Sequence, residues 1–456
     1  MVSGPALSAP LLAHAQRTEE AARSVGLDFF EVLFEPLDAR DVNAVAAWGG
    51  FPQRYASWRF GMEFERLHKS YSYGLSKIYE LVINNDPTIA YLVRSNSFME
   101  QKLVMAHVFG HADFFRHNVW FAPTERHMVD AMERHAESMQ RIMDSEGQDV
   151  VERFTDAVLC LDTLIDPYLP QRERLRVRPP EGVGSSLVER ARRSFESVLD
   201  GAPRNGGSET RVDAADPPTY DILGFVLENA PLEDWQREVV RIVRDEAYYF
   251  LPQRMTKIMN EGWATYWHSK LLTSGLLDPS EIVDFADCHA GATATGPGQL
   301  NPYKLGLDLF RHADRRGMDL FALRRVHNDV SFLDEVMDED FAATSQLFLV
   351  QQDGRQAKAQ VGSREWRSVK SKLLENLAWC GCPRVELIGA DEGGKGELLL
   401  QHHHDGRDLE ISESGELLRH LATLWGAPVH LLTQEEGQGR RITVESGKVR
   451  VIGLDS

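Results

Sequence analysis

Residues 107–111 read HVFGH. Two histidines four residues apart in a helix stand one turn apart on the same face. H-E-x-x-H presents two imidazoles to one zinc ion by this spacing. Here Val108 stands where that motif has its glutamate. The surrounding stretch, KLVMAHVFGHADFF, is apolar on nearly every side, and a helix apolar all round is a buried one. A lone buried histidine is ordinarily satisfied by a carbonyl. Two imidazoles facing one way in a buried helix cost free energy unless something engages both.

A second stretch, NEGWATYWH, spans 260–268. On a helix, Glu261, Thr265 and His268 fall on one stripe, with Trp263, Tyr266 and Trp267 on the other faces. Glu261 is therefore expected to be buried. A buried carboxylate needs a metal, an arginine or a protonated histidine beside it. A structural Glu–Arg or Glu–His pair satisfies it as well as a metal does. Other groups stand nearby in sequence. Asp113, just after HVFGH, is placed to orient a ligand. Glu246 is a base candidate if Pro252 bends the chain back, and a helix-surface residue otherwise. His289 is read in a Gly-rich loop, DCHAGATATGPGQLNPY, as a fourth ligand or an acid/base, or else as a surface histidine. Asn301 followed by Pro302 reads as a helix start. His402, His403 and His404 are consecutive in a strand, so they cannot all face one ion.

Taken together, H-x-x-x-H and the later Met-Asn-Glu-Gly-Trp-Ala-Thr-Tyr resemble the two metal-site elements of the gluzincin metallopeptidases. In that family the third ligand lies in N-E-G-F-A-x-Y, and the resemblance supplies Glu261 in that role. Val108 departs from the pattern. So does the interval between the elements, about 150 residues, which is longer than the family's. Two histidines and one carboxylate suit a catalytic zinc with one open position. They also suit non-haem iron(II). Zinc is placed ahead of iron as the divalent cofactor.

These residues must be positioned by helices. The chain has 456 residues, 43% hydrophobic and 26% charged, with a formal net charge of −19. That composition is globular, and the acidity argues against a nucleic-acid partner. No apolar run approaches the ~20 residues of a membrane span. The N-terminus lacks the basic segment of a signal peptide, and four cysteines make no disulfide framework. A cytoplasmic protein is expected.

Helical periodicity covers 11–35 and 53–82. A strand–turn follows at 79–96, and a helix through HVFGH is capped at Asn96 or Ser97. Further helices are expected over 124–147, 150–164, 232–272 (broken or kinked at Pro252) and 303–315. Residues 171–218 read as a mobile insertion with one helix near 186–199, and the basic run 172–178 as a solvated loop. Beyond about residue 360, short strands (RVELIGA, GELLLQHH, DLEIS, PVHLLT, RRITVESGKVRVI) flank the helix ELLRHLATLWG. The expected architecture is mainly α. A helical domain at 1–355 carries the metal-site elements, and a small α+β domain at 356–456 is able to dock a protein partner.

Several long blocks, among them WGGFPQRYASWRFGMEFERL, YGLSKIYELVINNDPTIAYL, SNSFMEQKLVMAHVFGHADFF, RIVRDEAYYFLPQRMTKIMNEGWATYWH and LWGAPVHLLT, resemble the stage V sporulation protein R (SpoVR-like) family over nearly the whole chain. The resemblance implies a bacterial cytoplasmic factor of spore cortex or cell-envelope formation, or of stress response. It brings no settled chemistry. The residues suggest a metal-dependent hydrolase or amidase that lacks the H-E-x-x-H glutamate. A regulatory or scaffold protein with a structural His/Glu cluster, or a non-haem iron protein, are the alternatives.

Overall fold

A computed structural model describes residues 7–72, 80–177, 218–296, 300–352, 359–392 and 396–454. The chain is mostly helical with a five-stranded sheet near its end. It opens with α1 (Ala9–Ser24), β1 (Val32–Leu37), α2 (Ala39–Ala47), α3 (Trp58–Ser72), β2 (Glu80–Ile83) and β3 (Thr88–Val93). Then come α4 (Phe98–His117), α5 (Met128–Glu146), α6 (Gln148–Leu159) and α7 (Leu169–Val177). The described chain resumes with α8 (Ile222–Asn229), α9 (Asp234–Met255), α10 (Lys257–Leu271), α11 (Ile282–Thr293) and α12 (Pro302–Arg315). Next are α13 (Leu320–Val326), α14 (Asp329–Val336), α15 (Glu339–Thr344), β4 (Leu349–Gln352), β5 (Ala359–Ser363) and α16 (Trp366–Leu377). The chain closes with β6 (Val385–Glu392), β7 (Glu397–His402), α17 (Ile411–Trp425), β8 (Val429–Glu435), β9 (Gln438–Glu445) and β10 (Lys448–Gly453).

Contacts divide the described chain into two compact units, one drawn from described residues within 7–137 and 253–374, the other from those within 138–177, 218–252 and 375–454. In the first, α4 is the central helix, packed against α1, α10, α11, α13 and β3. Its start is written in the sequence S-x-x-E. The Ser97 hydroxyl accepts from the Glu100 N–H, and the Glu100 carboxylate accepts from the Ser97 N–H, a reciprocal capping box. A three-stranded sheet, ordered β1-β3-β2, lies beside it, with β1 parallel and β2 antiparallel to β3. Ala15, Ala90, Leu92, Val104, Met105 and Val108 form one apolar cluster joining α1, β3 and α4.

The second unit is organised on the sheet β10-β9-β8-β7-β6. Only β7 and β8 run parallel. A parallel pair needs a crossover, and α17 supplies it, packing on β8, β9 and β10. Leu398, Leu400, Leu418, Leu421, Val429, Ile442 and Val444 are buried between them. The helix stops at Gly426, whose φ of 81° is left-handed, where glycine carries no Cβ penalty. β9 and β10 turn at Ser446–Gly447, as the sequence suggests.

Several expectations are corrected. The first helix ends at Ser24, and β1 follows where helix was expected. Helix α6 stops at Leu159 rather than Leu164. The run 172–178, read as a loop, is helical to Val177. The rest of the insertion, including the helix near 186–199, lies outside the described residues. DLEIS is not a strand: the Glu410 carboxylate accepts from the Glu413 N–H and starts α17. The tract 287–303 is not all loop, because α11 runs to Thr293. Among the described residues, no helix is long and apolar enough to cross a membrane.

Candidate metal centre

Two helices of the first unit bring the central residues together. His107 and His111 lie on α4, 2% and 5% exposed. Glu261 lies in the first turns of α10. The helical tract of α9 runs through Pro252 and breaks at Thr256, whose φ of −127° and ψ of 19° leave the helix. The new helix must satisfy fresh orphan N–H groups. Asp329, the first residue of α14, does so: its two carboxylate oxygens accept from the Ile258 and Met259 N–H groups at 2.9 and 2.8 Å. The side chain of a third segment thereby fixes where the Glu261 helix begins. Burial pushes the Asp329 carboxyl up to about 7, against the pull of these two donors.

Small residues let the helices approach. A Cβ on Gly262 would stand 2.4 Å from the Gly306 Cα, so α10 and α12 meet backbone to backbone. Gly110 makes the equivalent approach to Ala264. With that spacing, Glu261 Oε2 lies 3.5 Å from His107 Nε2 and 3.5 Å from His111 Nε2. The three ligand atoms all fall within 4.8 Å of one another.

The far side of each ring is engaged as well. His111 Nδ1 lies 2.8 Å from Asn260 Oδ1. An amide oxygen only accepts, so His111 donates from Nδ1, which leaves Nε2 as the nitrogen that faces Glu261. His107 Nδ1 lies 2.9 Å from His268 Nδ1. The His268 Nε2 lies 2.9 Å from His289 Nδ1. Burial, and after it the neighbouring His107 and His289, hold His268 well below the ordinary histidine range, so it is neutral.

The other candidates are placed as follows. His289 is on helix α11, half-buried, and reaches His268 rather than Glu261. Asp113 is buried and orients no ligand; it accepts from the Asp28 N–H and the Trp263 indole N–H and pairs with Arg324. It ties α4 to α10 and α13 instead. Glu246 lies on α9 in the second unit and is buried, not on a helix surface. Val108 is fully buried in the cluster with α1 and β3, away from α10. Asn301 caps α12, accepting from the Tyr303 and Lys304 N–H groups. His402, His403 and His404 take three separate partners, Thr433, Glu386 and Asp408. The sequence carries no signal for the contacts of Asn260 with His111 and of His268 with His107. The stripe Glu261–Thr265–His268 signals only the face that His268 shares with Glu261.

A family model described as SpoVR like protein matches residues 8–382, and one described as SpoVR-like C-terminal domain matches residues 383–436. Among curated proteins, the uncharacterized protein YcgB of Escherichia coli (strain K12) is 28% identical over 469 residues, covering 92% of this chain and 90% of its own length. No solved structure matches the chain.

Proposed function

The chain belongs to the SpoVR-like protein family, and we propose that it holds one divalent metal ion on His107 Nε2, His111 Nε2 and the Glu261 carboxylate, with zinc ahead of iron. One observation carries this: both histidine–glutamate separations are 3.5 Å. A charge-assisted N–H···O bond closes to about 2.7–2.9 Å. Two ligands of one tetrahedral zinc with ~2.0–2.1 Å bonds stand about 3.3–3.4 Å apart. The observed separation is longer than such a hydrogen bond and close to that of two ligands on a shared ion.

A bound ion would act as a Lewis acid that polarises a carbonyl and acidifies water. The protein's own part is to hold the ligands and shape access. The Glu261 side chain keeps 18% exposure while the histidines are nearly closed off. Three protein ligands leave the fourth position of a tetrahedral zinc open, which is the catalytic rather than the structural pattern. We infer a hydrolase or amidase acting on a peptide-like or cell-envelope substrate, the envelope resting on the likeness to a spore-cortex factor. The side chain that follows the first histidine takes no part, so any general base comes from elsewhere.

Metal analysis of the purified, untagged protein tests this. Near-stoichiometric zinc is expected, and His107→Ala and Glu261→Ala should each lose most of it. Stoichiometric iron would move the assignment to a non-haem iron protein. Full retention by both variants would sink the site.

A further inference from the structure

His268 belongs to no ligand set, yet both its ring nitrogens are engaged and it is 1% exposed. It sits between His107 and His289 with a 2.9 Å contact on each side. Each contact needs one proton between the two nitrogens. For neutral rings, only two arrangements satisfy both. In the outward one, His107 donates from Nδ1 to His268 Nδ1, and His268 donates from Nε2 to His289 Nδ1. The His107 Nε2 lone pair then faces Glu261. In the inward one every proton points the other way, and His107 carries a hydrogen on Nε2, where an ion would have to bind.

We propose that His268, backed by His289, is the positioning residue that sets His107 in its metal-binding tautomer. This rests on the metal site proposed above and adds a role for residues outside it. Asn260 does the same work for His111 with a group whose oxygen only accepts. His107 depends instead on a chain of rings that ends on α11. That end is held in place. The Phe285 ring stacks on His289 at 5.6 Å and 22°, and meets His268 edge-on at 6.4 Å. Lys102 on α4 pairs with Glu281, just before α11, at 2.6 Å. The half-buried His289 is thus where a surface helix is linked, through hydrogen bonds alone, to a buried ligand.

The test compares zinc affinity, by competition with a chromophoric chelator, in wild type, His268→Leu, His268→Asn and His289→Ala, with His107→Ala as control. Asn places an oxygen where His268 has Nδ1, so it accepts from His107 without the link to His289. His268→Leu should lower affinity ~10–100-fold, the usual effect of losing a group that orients a metal-binding histidine. His268→Asn should recover to within roughly threefold of wild type, and His289→Ala should lose less than about tenfold. Ring ¹⁵N shifts of the metal-free protein give a second readout, with His107 protonated on Nδ1 in wild type and mixed in His268→Leu. If His268→Leu binds zinc as tightly as wild type while His107→Ala does not, the inference fails and the metal site stands. If wild type binds no zinc, the metal site fails. A wild-type ¹⁵N signal for Nε2–H on His107 overturns the inference whether or not an ion binds.

Discussion

A Cβ on Gly110 would stand 2.6 Å from the Ala264 Cα, so α4 and α10 touch backbone to backbone one residue from His111. The obstacle is main chain, which cannot rotate aside. Gly110→Ala gains about 1 kcal/mol of helix propensity, but overpacking typically costs ~1–3 kcal/mol. The second effect is expected to win. Urea unfolding should show net destabilisation of up to ~2 kcal/mol, together with weaker zinc binding, because the helices must part where His111 faces Glu261. A variant as stable as wild type with unchanged affinity would show that the close approach does not set the ligand spacing.

The helices that carry the site were legible because their signals are local. The capping box of α4 and its apolar surround are written in consecutive residues, and so are the Gly426 stop and the Ser446–Gly447 turn. What escaped depends on distant partners. β1 contains Pro36 and shows no alternation of burial, and it exists as a strand through parallel pairing with β3 more than fifty residues away. α11 has the small residues of a loop, Ala290, Gly291 and Ala292. It is helical with Phe285 packed beside Met99, Ala106 and Leu272. The cluster of His107, His111 and Glu261 could be assembled from residue types and a family resemblance. The roles of Asn260, His268 and Asp329 could not, since each depends on which helix lies opposite.

Asp329 should leave a signature in the pH dependence of stability. Its folded pKa is raised to about 7, burial outweighing the two N–H donors, with Glu261 raising it further and Lys257 opposing. An unfolded aspartate titrates near 3.9. Its contribution is therefore fully present below about pH 4 and is lost as pH rises towards 7. Asp329→Asn accepts fewer backbone bonds at every pH but has nothing to ionise. Urea melts from pH 4 to 8 should show the stability difference moving in the variant's favour by on the order of 3 kcal/mol across that window. A difference that is flat with pH would mean that the backbone donors keep Asp329 ionised throughout.

The missing glutamate of HVFGH is explained by direction as well as by residue type. In H-E-x-x-H the acid beside the first histidine takes the proton of the attacking water, help worth ~10²–10⁴-fold. Here position 108 packs with Ala15, Ala90 and Leu92 on the side of α4 turned to α1 and β3, whereas His107 and His111 turn to α10. A glutamate placed there would enter an apolar cluster with no partner. It would be protonated or would cost several kcal/mol, and it would not reach the ligands. Val108→Glu should therefore lower stability by ~3–5 kcal/mol in urea unfolding. It should confer no digestion of casein, and zinc-loaded wild type should show negligible casein turnover as well. Robust, chelator-sensitive release of casein peptides by the variant would show that position 108 does reach the centre. The same result from wild type would show that the base this site needs is already supplied by another residue.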